Sequence, residues 1–508
     1  MNVKRVLPNA VERALFDISH TRRIEARAAV QLPPHTLMAR AGEAVARLAL
    51  ALAPHAQRVW IAAGPGNNGG DGLAAAAWLR RAGKQVELSL YADPSTVPAD
   101  AHHALLQAQA AGVGIHAGEV DTKVPLALGA HDIAIDGLLG IGASRAPSGL
   151  IARAVQSLNT LACPVLAIDL PSGLHADTGQ PLGEACVVAT HTLSLLTLKP
   201  GLFTGAGRDH AGTVWFDDLG IDTAAERPEA QLSACSPIEA RLQSRRHAQH
   251  KGSFGDVAVV GGTAGMTGAA LLAARAAHAA GAGRVFVELL VAGGSEPALD
   301  PLRAELMFRP GWSLSGSPPN ATVVCGCGGG DAVRAALPRL LSTAARLVLD
   351  ADALNALSAD ASLITLLQAR ARRHAGTVLT PHPLEAARLL GCDTAQVQAD
   401  RLRAAHELSE RLQCVVVLKG SGSIVAAPGR TPRINPTGNA TLASAGSGDV
   451  LAGWLGGLWA QSASGVAPSG PFDVAVRAVW EHGAAAHSEA HGPMRAGDLI
   501  EAMHRRLR

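Results

Sequence analysis

The chain has no surplus of either charge. Lysine and arginine number 44 against 42 aspartates and glutamates, a net of +2 over 508 residues with the signs well mixed. That balance excludes a basic stripe for nucleic acid and an acidic solvating tail, and leaves a small molecule as the expected partner. Zinc-site spacing is missing as well. Of seven cysteines only Cys325 and Cys327 stand close together, without paired C-x-x-C motifs or a Cys/His framework. Reduced thiols in a cytoplasmic protein are the expectation. The opening stretch, MNVKRVLPNAVERALFDISH, contains no continuous apolar run of the kind that directs export. The uncharged stretch from Val450 to Phe472 is interrupted by Gly453, Gly456, Gly457, Gln461, Ser462, Ser464 and Pro468, so it reads as a buried helix followed by a loop and not as a membrane span.

What is present is a compact composition, 48% hydrophobic and 17% charged with 55 glycines. The length exceeds what one hydrophobic core usually supports, and two domains are expected. The first half alternates short apolar runs with alanine-rich helical stretches, the signature of a parallel sheet covered by helices. RVWIAAG reads as a buried strand, DGLAAAAWLRRAGK as a helix closing at Gly83, and QVELSLY as the next strand; HDIAID and CPVLAID follow, each ending in an acid, Asp136 and Asp169. Ligand crevices in such sheets lie at the carboxyl ends of the strands, so these acids are placed to share a site with the loop after the first strand. THTLSLLTLKPG and GTVWFDDLG read as closing strands. The stretch from Ile221 to His250 is polar and has no strand pattern, and the boundary is set there, giving domains 1–228 and 229–508. A second α/β pattern begins at FGDVAVVGG and ends with ASAGSGDVLAGWLGGLWA. The halves share a class but no motif at matching spacing, so they are not an internal repeat.

The loop AGPGNNGGDGL, residues 63–73, carries the first chemistry. Gly64, Gly66 and Gly69 fit G-x-G-x-x-G, a phosphate-cradling turn at a helix N-terminus, and Asp93 after the next strand stands where a dinucleotide site holds a ribose. A hydride-transfer site therefore stays open on pattern alone. Asn67, Asn68 and Asp71 are not needed for that role. Asn68, Asp136 and Ser172 together offer only oxygen donors, suited to a hard cation, although a left-handed turn, a helix cap and a local hydrogen bond are the ordinary tasks of those residue types. In the second half, SAGSGDVLAG places small residues ahead of a helix, where amide groups face an anion, with Asp449 positioned to take a proton from an attacking hydroxyl. VVVLKGSGS adds Lys419, and TPHPLEAARLLG holds His382 between two prolines.

RRIEARAAVQLPPHTLMARAGEAVARL, GPGNNGGDG, DGLLGIGASRAPSG and DLPSGL, in that order and spacing, resemble the NAD(P)H-hydrate epimerase domain over nearly the whole first half. HKGSFGDVAVVGGTAGMTGAALLAARAAHAAGAG, AELM, DADALN, TPHPLE, VLKG and GSGD resemble the ADP- or ATP-dependent NAD(P)H-hydrate dehydratase domain over the second. The resemblance implies an α/β protein with an N-terminal Rossmann-like three-layer sandwich followed by a ribokinase-like α/β domain. In the first domain it implies substrate contacts at Asn67, Asn68, Gly69, Gly70 and Asp71, and at Gly140, Ile141, Gly142, Ala143, Ser144, Arg145 and Ala146. It makes Asp169 a catalytic, substrate-contacting acid and gives potassium the ligands Asn68, Asp136 and Ser172.

In the second domain the resemblance implies Asp449 as the catalytic base and Val257, Gly328, Gly330, His382 and Asp449 as substrate contacts. Lys419, Gly420, Ser421, Gly422, Ser423 and Gly448 would form the nucleotide site, with Mg2+ and ADP as cofactor and co-substrate. ADP in place of ATP is taken from the fused two-domain organisation, as in bacterial members, and from no residue. Two positions depart from the pattern. Gln31 replaces a glycine that often precedes the family's LP dipeptide, and where the family has GPGLG this chain has Gly326, Cys327, Gly328, Gly329 and Gly330, without the stiffening proline. The implied substrates are NADHX and NADPHX, with assembly as a homo-oligomer and with neither nucleic acid nor membrane as partner. Two rivals stand beside this reading: GSGD alone equally suits a ribokinase-like small-molecule kinase, and Rossmann-like domains of this family with degenerate loops serve as binding scaffolds.

Overall fold

A computed structural model describes residues 3–8, 11–117, 128–234, 245–291, 299–315, 321–462, 470–486 and 492–507. The chain divides into two compact units, one comprising residues 1–9 and 13–231 and the other residues 10–12 and 232–508.

The first unit is built on an eight-stranded sheet. From one edge the strands run Gly114–Ala117, Gln85–Leu90, Arg58–Ala63, Ile133–Gly137, Val165–Ile168, His191–Leu195, Thr213–Asp217 and Lys4–Arg5. All neighbours are parallel except the last pair. Alternation along Arg58–Ala63 explains the layering, because successive side chains face opposite sides. Val59, Ile61 and Ala63 pack into one core with the helices Thr36–Leu52, Asn67–Arg81 and Ala99–Ala110, whereas Trp60 and Ala62 pack into another with Gly149–Asn159. The result is three layers, as expected. Strand order reverses between Arg58–Ala63 and Ile133–Gly137, so the loops after these two strands diverge and leave a crevice.

The helix expected from Asp71 begins earlier, at Asn67, so the asparagines and Asp71 belong to its first turns. Close approach makes this possible: a Cβ on Gly64 would lie 1.7 Å from the Leu138 carbonyl oxygen, and one on Gly69 would lie 2.0 Å from that of Gly64. A short strand, Ala230–Leu232, also forms where no strand was expected, since three residues are too few to show a period.

In the second unit the parallel strands run Met307–Phe308, Arg284–Leu289, Asp256–Gly261, Thr322–Cys325, Arg346–Leu349, Gly376–Leu379 and Val415–Leu418, continued by Ile424–Ala426 and Arg433–Ile434 in antiparallel pairing. Order reverses between Asp256–Gly261 and Thr322–Cys325. One face is covered by the helices Thr267–Ala279 and Ser447–Ser462, whose buried residues share a core with Val257, Val259, Val287 and Val324. The uncharged stretch forms the body of Ser447–Ser462, with Trp454 and Trp459 buried, while residues 463–469 lie outside the described part. Among the described residues no helix is long and apolar enough to cross a membrane. This helix sits directly against Thr267–Ala279, because a Cβ on Gly453 would fall 1.9 Å from the Ala273 carbonyl oxygen.

Candidate active sites

In the first unit the carboxyl ends of the strands open into a cavity of about 550 Å3 lined by Asn67, Asn68, Asp71, Gly140, Ile141, Gly142, Ala143 and Asp169. Gly69 and Gly70 are buried in the turn beneath. Ser144, Arg145 and Ala146 are exposed and are not part of the lining. Asp93, the alternative ribose ligand, is also absent from it; its carboxylate accepts from the amide and hydroxyl of Ser95 at 2.9 and 2.7 Å, so it holds its own turn.

Asp169 follows its strand with φ of 67°, a left-handed conformation rare for a residue with a side chain. Its carboxylate is paired with the ammonium of Lys199 and accepts from the Leu195 amide at 3.0 Å. Lys199 is fully buried and also donates to the Leu195 and Thr197 carbonyls at 2.8 and 2.9 Å. It lines the same cavity. Nothing local in the sequence marks this lysine: a lone lysine after a strand, 30 residues beyond Asp169, shows its partner only when the chain is folded. Glu25 and Asp100 add two more carboxyl groups to the lining. Burial, reinforced by the charge of Asp169, pushes both Asp71 and Glu25 above the ordinary carboxyl range, Asp71 well above it.

Asp136 and Ser172 do not line the cavity. Both are completely buried, with the Ser172 hydroxyl donating to Asp136 at 2.6 Å and its amide at 2.8 Å, while the Leu138 amide donates to Asp136 at 3.2 Å and that of Leu139 to the Ser172 oxygen at 2.8 Å. Burial raises the Asp136 carboxyl to about 6 against these donors. Asn68 donates its amide to the Leu139 carbonyl at 3.0 Å, yet its Oδ1 is buried with no hydrogen-bond partner among the described residues. An orphaned acceptor of this kind is costly unless something electropositive meets it. Together with the neighbouring all-oxygen set it fits a hard cation.

The second unit gathers its candidates around Asp449, in the first turn of Ser447–Ser462. One sulfur or oxygen atom each of Cys327, Asp350 and Asp449 lie within 4.8 Å of one another. Burial and the charge of Asp350 raise the Asp449 carboxyl to about 6, against a hydrogen bond from the Cys327 thiol and the charge of Lys419. Lys419 donates to Asp350 at 2.7 Å and lies 4.0 Å from Glu385, whose carboxyl burial pushes up to about 7. Gly448 is part of this cluster, because a Cβ there would stand 3.3 Å from the Lys419 ammonium nitrogen.

Lys419 to Ser423 form the turn between the antiparallel strands Val415–Leu418 and Ile424–Ala426, closed by mutual bonds of Gly420 and Ser423 at 3.3 and 3.0 Å. His382 caps the helix Pro383–Leu390: its Nδ1 accepts from the Leu384 and Glu385 amides at 3.2 and 3.3 Å, and its own amide donates to Glu385 at 2.8 Å. Gly328 and Gly330 adopt φ of 59° and 50°, and the Gly330 amide donates to Asp352 at 2.8 Å.

Val257 is not brought to this group. It lies at the opposite end of its strand, fully buried in the apolar core, because burial of an aliphatic strand position decides its place. Conversely, Asp350, Glu385 and Cys327 had not been singled out for the site, although DADALN and TPHPLE contain the first two. Lys419 lies 69 residues from Asp350, which is why the pair is invisible along the chain.

A family model described as NAD(P)H-hydrate dehydratase matches residues 257–505, and one described as the N-terminus of YjeF-related proteins matches residues 34–201. The chain is similar to the bifunctional NAD(P)H-hydrate repair enzyme Nnr of Escherichia coli K12, with 36% identity over 488 residues covering 94% of this chain and 90% of that one. It is also 36% identical over 482 residues to the enzyme of the same name from Moorella thermoacetica, covering 88% and 86% of the two chains. Among solved structures, the ADP/ATP-dependent NAD(P)H-hydrate dehydratase of Bacillus subtilis, co-crystallised with ATP and Mg2+, is 28% identical, with a TM-score of 0.44, over 53% of this chain and 94% of that one.

Proposed function

The chain belongs to the family of bifunctional NAD(P)H-hydrate repair enzymes, and from that membership we propose how its two units divide the work. The protein restores hydrated NADH and NADPH. The first unit interconverts the R and S hydrates, and the second dehydrates the S form at the expense of ADP, giving AMP and phosphate. Within the chain we set the boundary between these activities at residues 228 and 229, supported by the parting of the compact units at Gln231.

Hydroxide leaves an organic centre poorly. Phosphorylating the hydroxyl first makes phosphate the leaving group. Asp449 takes the hydroxyl proton as the oxygen attacks the terminal phosphoryl group of ADP, which enters as its magnesium complex. The amides at the start of Ser447–Ser462 face the developing negative charge, and the Lys419 ammonium beside them adds a positive one. The single observation carrying this reading is the convergence of Asp449, Lys419 and Gly448 at one helix N-terminus. A base raised to about 6 is still ionised at neutral pH while remaining basic enough to accept a proton.

In the first unit Asp169, held by Lys199, acts on the hydrated carbon, while the helix turn from Asn67 to Asp71 and the loop from Gly140 to Ala143 enclose the substrate. Potassium would be held by Asn68, Asp136 and Ser172, supported by the orphaned Asn68 oxygen, and would lend fixed positive charge beside the substrate phosphates. Cytoplasmic residence and assembly as a homo-oligomer belong to the same proposal; the six described cysteines are all free thiols, as a reducing compartment requires.

Incubation of a mixed-epimer hydrate with the protein, ADP and Mg2+, followed by absorbance of the reduced nicotinamide, tests the whole. Complete recovery is expected. Recovery of one epimer alone refutes the epimerase assignment, and a stable phosphorylated product without reduced cofactor would make the second unit a kinase.

A further inference from the structure

The carbon that carries the hydroxyl neighbours the ring nitrogen, whose lone pair can expel the hydroxyl oxygen and leave a planar carbon open to either configuration; on this route the departing oxygen needs a proton. The Asp169 carboxylate is committed to Lys199 and cannot serve as an obvious donor. Of the other carboxyl groups lining the cavity, Asp100 lies 2.6 Å from the His35 ring, which leaves Asp71 and Glu25. Asp71 stands three and four residues after Asn68 and Asn67 on one helix, so all three share the face that lines the cavity. Its carboxyl group makes no hydrogen bond among the described residues.

We propose that Asp71 is the catalytic acid of the epimerase, an inference that rests on the epimerase reading of this cavity. The Asp71 proton passes to the hydroxyl of the hydrate, and the carbon–oxygen bond breaks with its electron pair leaving on oxygen as water. The ring-nitrogen lone pair forms a C=N bond to the same carbon, and the resulting cation faces the Asp169 carboxylate. Water adds to the opposite face of that planar carbon, and its surplus proton returns through cavity water to the Asp71 carboxylate. No oxidant or reductant is needed.

The surroundings favour the division of roles. Burial and the negative charges of Asp169 and Glu25, with a smaller effect of Asp100, hold the proton on Asp71 against the opposing charge of Lys199. Of the four carboxyl groups lining this cavity, Asp169 paired with an ammonium and Asp71 among negative neighbours supply what a counter-ion and an acid require.

The test is epimerisation of a single purified hydrate in H2(18)O with no ADP present, so that the second site is idle, measured above the rate without enzyme. Each enzymatic inversion is expected to place one solvent oxygen in the product hydroxyl. Inverted product that keeps its original oxygen overturns the proposal, because the carbon–oxygen bond then never breaks. Asp71→Asn is expected to lower kcat of epimerisation by about 100-fold or more with KM within about threefold, while the same chain dehydrates the S hydrate with ADP as before. Asp71→Glu should regain part of the loss. An Asp71→Asn protein with undiminished kcat refutes the role, and a wild-type chain that leaves the hydrate uninverted refutes the epimerase reading beneath it.

Discussion

Cys327→Ala separates the electrostatic part of the dehydratase site from its scaffold. The thiol stands where the family's loop carries proline, and it donates a hydrogen bond to Asp449 that favours the ionised carboxylate. Facing that carboxylate are also Asp350, Asp352 and Lys419. A hydrogen bond from a thiol to a charged acceptor contributes about 1 kcal/mol, which moves the protonation midpoint by about 0.7 of a pH unit. Asp449 titrates at about 6, so at pH 6 about half of the wild-type molecules hold an ionised base. Without the thiol that fraction falls to roughly one sixth, whereas near pH 8 nearly all molecules stay ionised in both proteins. The expected result is about a threefold lower kcat for ADP-dependent dehydration at pH 6 and little change at pH 8, read from phosphate release across a pH series. Cys327→Ser keeps a donor and should keep the wild-type profile. An equal proportional loss at every pH in the alanine variant would mean that Cys327 only fills space, and would refute the reasoning.

Asp169→Asn is expected to abolish interconversion of the two hydrates, followed by chromatography, and to leave dehydration of the S hydrate intact; persistent interconversion would remove Asp169 from the mechanism. Asp449→Ala should stop phosphate release from ADP and hydrate while the first unit continues to epimerise. Gly453→Val forces a side chain into space 1.9 Å from the Ala273 carbonyl oxygen, and should cost about 3 kcal/mol or more in denaturant unfolding of the second unit. His482, whose ring donates to the Ser447 carbonyl at 2.9 Å, is depressed by burial to about 4. Because the unfolded chain protonates near the ordinary 6.5 and the folded one near 4, stability is full above that range and falls as pH drops through it. Thermal melts should therefore show wild type losing more than His482→Gln between pH 7 and pH 4, with parallel losses counting against the assignment.

Much of the site was legible because its determinants are local. A short apolar run reads as a buried strand, a glycine-rich turn after it as a helix N-terminus, and an acid at the strand end as a group facing the crevice. In this way Asn68 and Asp169 were placed at the cavity they line and Asp449 at the start of its helix, and the buried helix that carries Trp454 and Trp459 was found. The start of the helix Asn67–Arg81 is not legible in the sequence because Gly69 and Gly70 argue against a helix locally, and only the approach of Leu138 to Gly64 shows why glycines are required there.

The sequence by itself determined the main buried strands of both sheets and the family to which the chain belongs, since these are carried by patterns within a few residues or by ordered motifs. Only the tertiary structure decided which group answers which. It paired Asp169 with Lys199 and Asp350 with Lys419, set the Cys327 thiol against Asp449, and gave Asp71 no hydrogen-bond partner among the described residues. It also left Asp93, suggested by its spacing, out of the first cavity, and Val257, implied by the resemblance, in the apolar core. The reason is distance along the chain: partners separated by 30 or 69 residues meet only because parallel strands bring their carboxyl ends together, and burial there decides which carboxyl group keeps its proton.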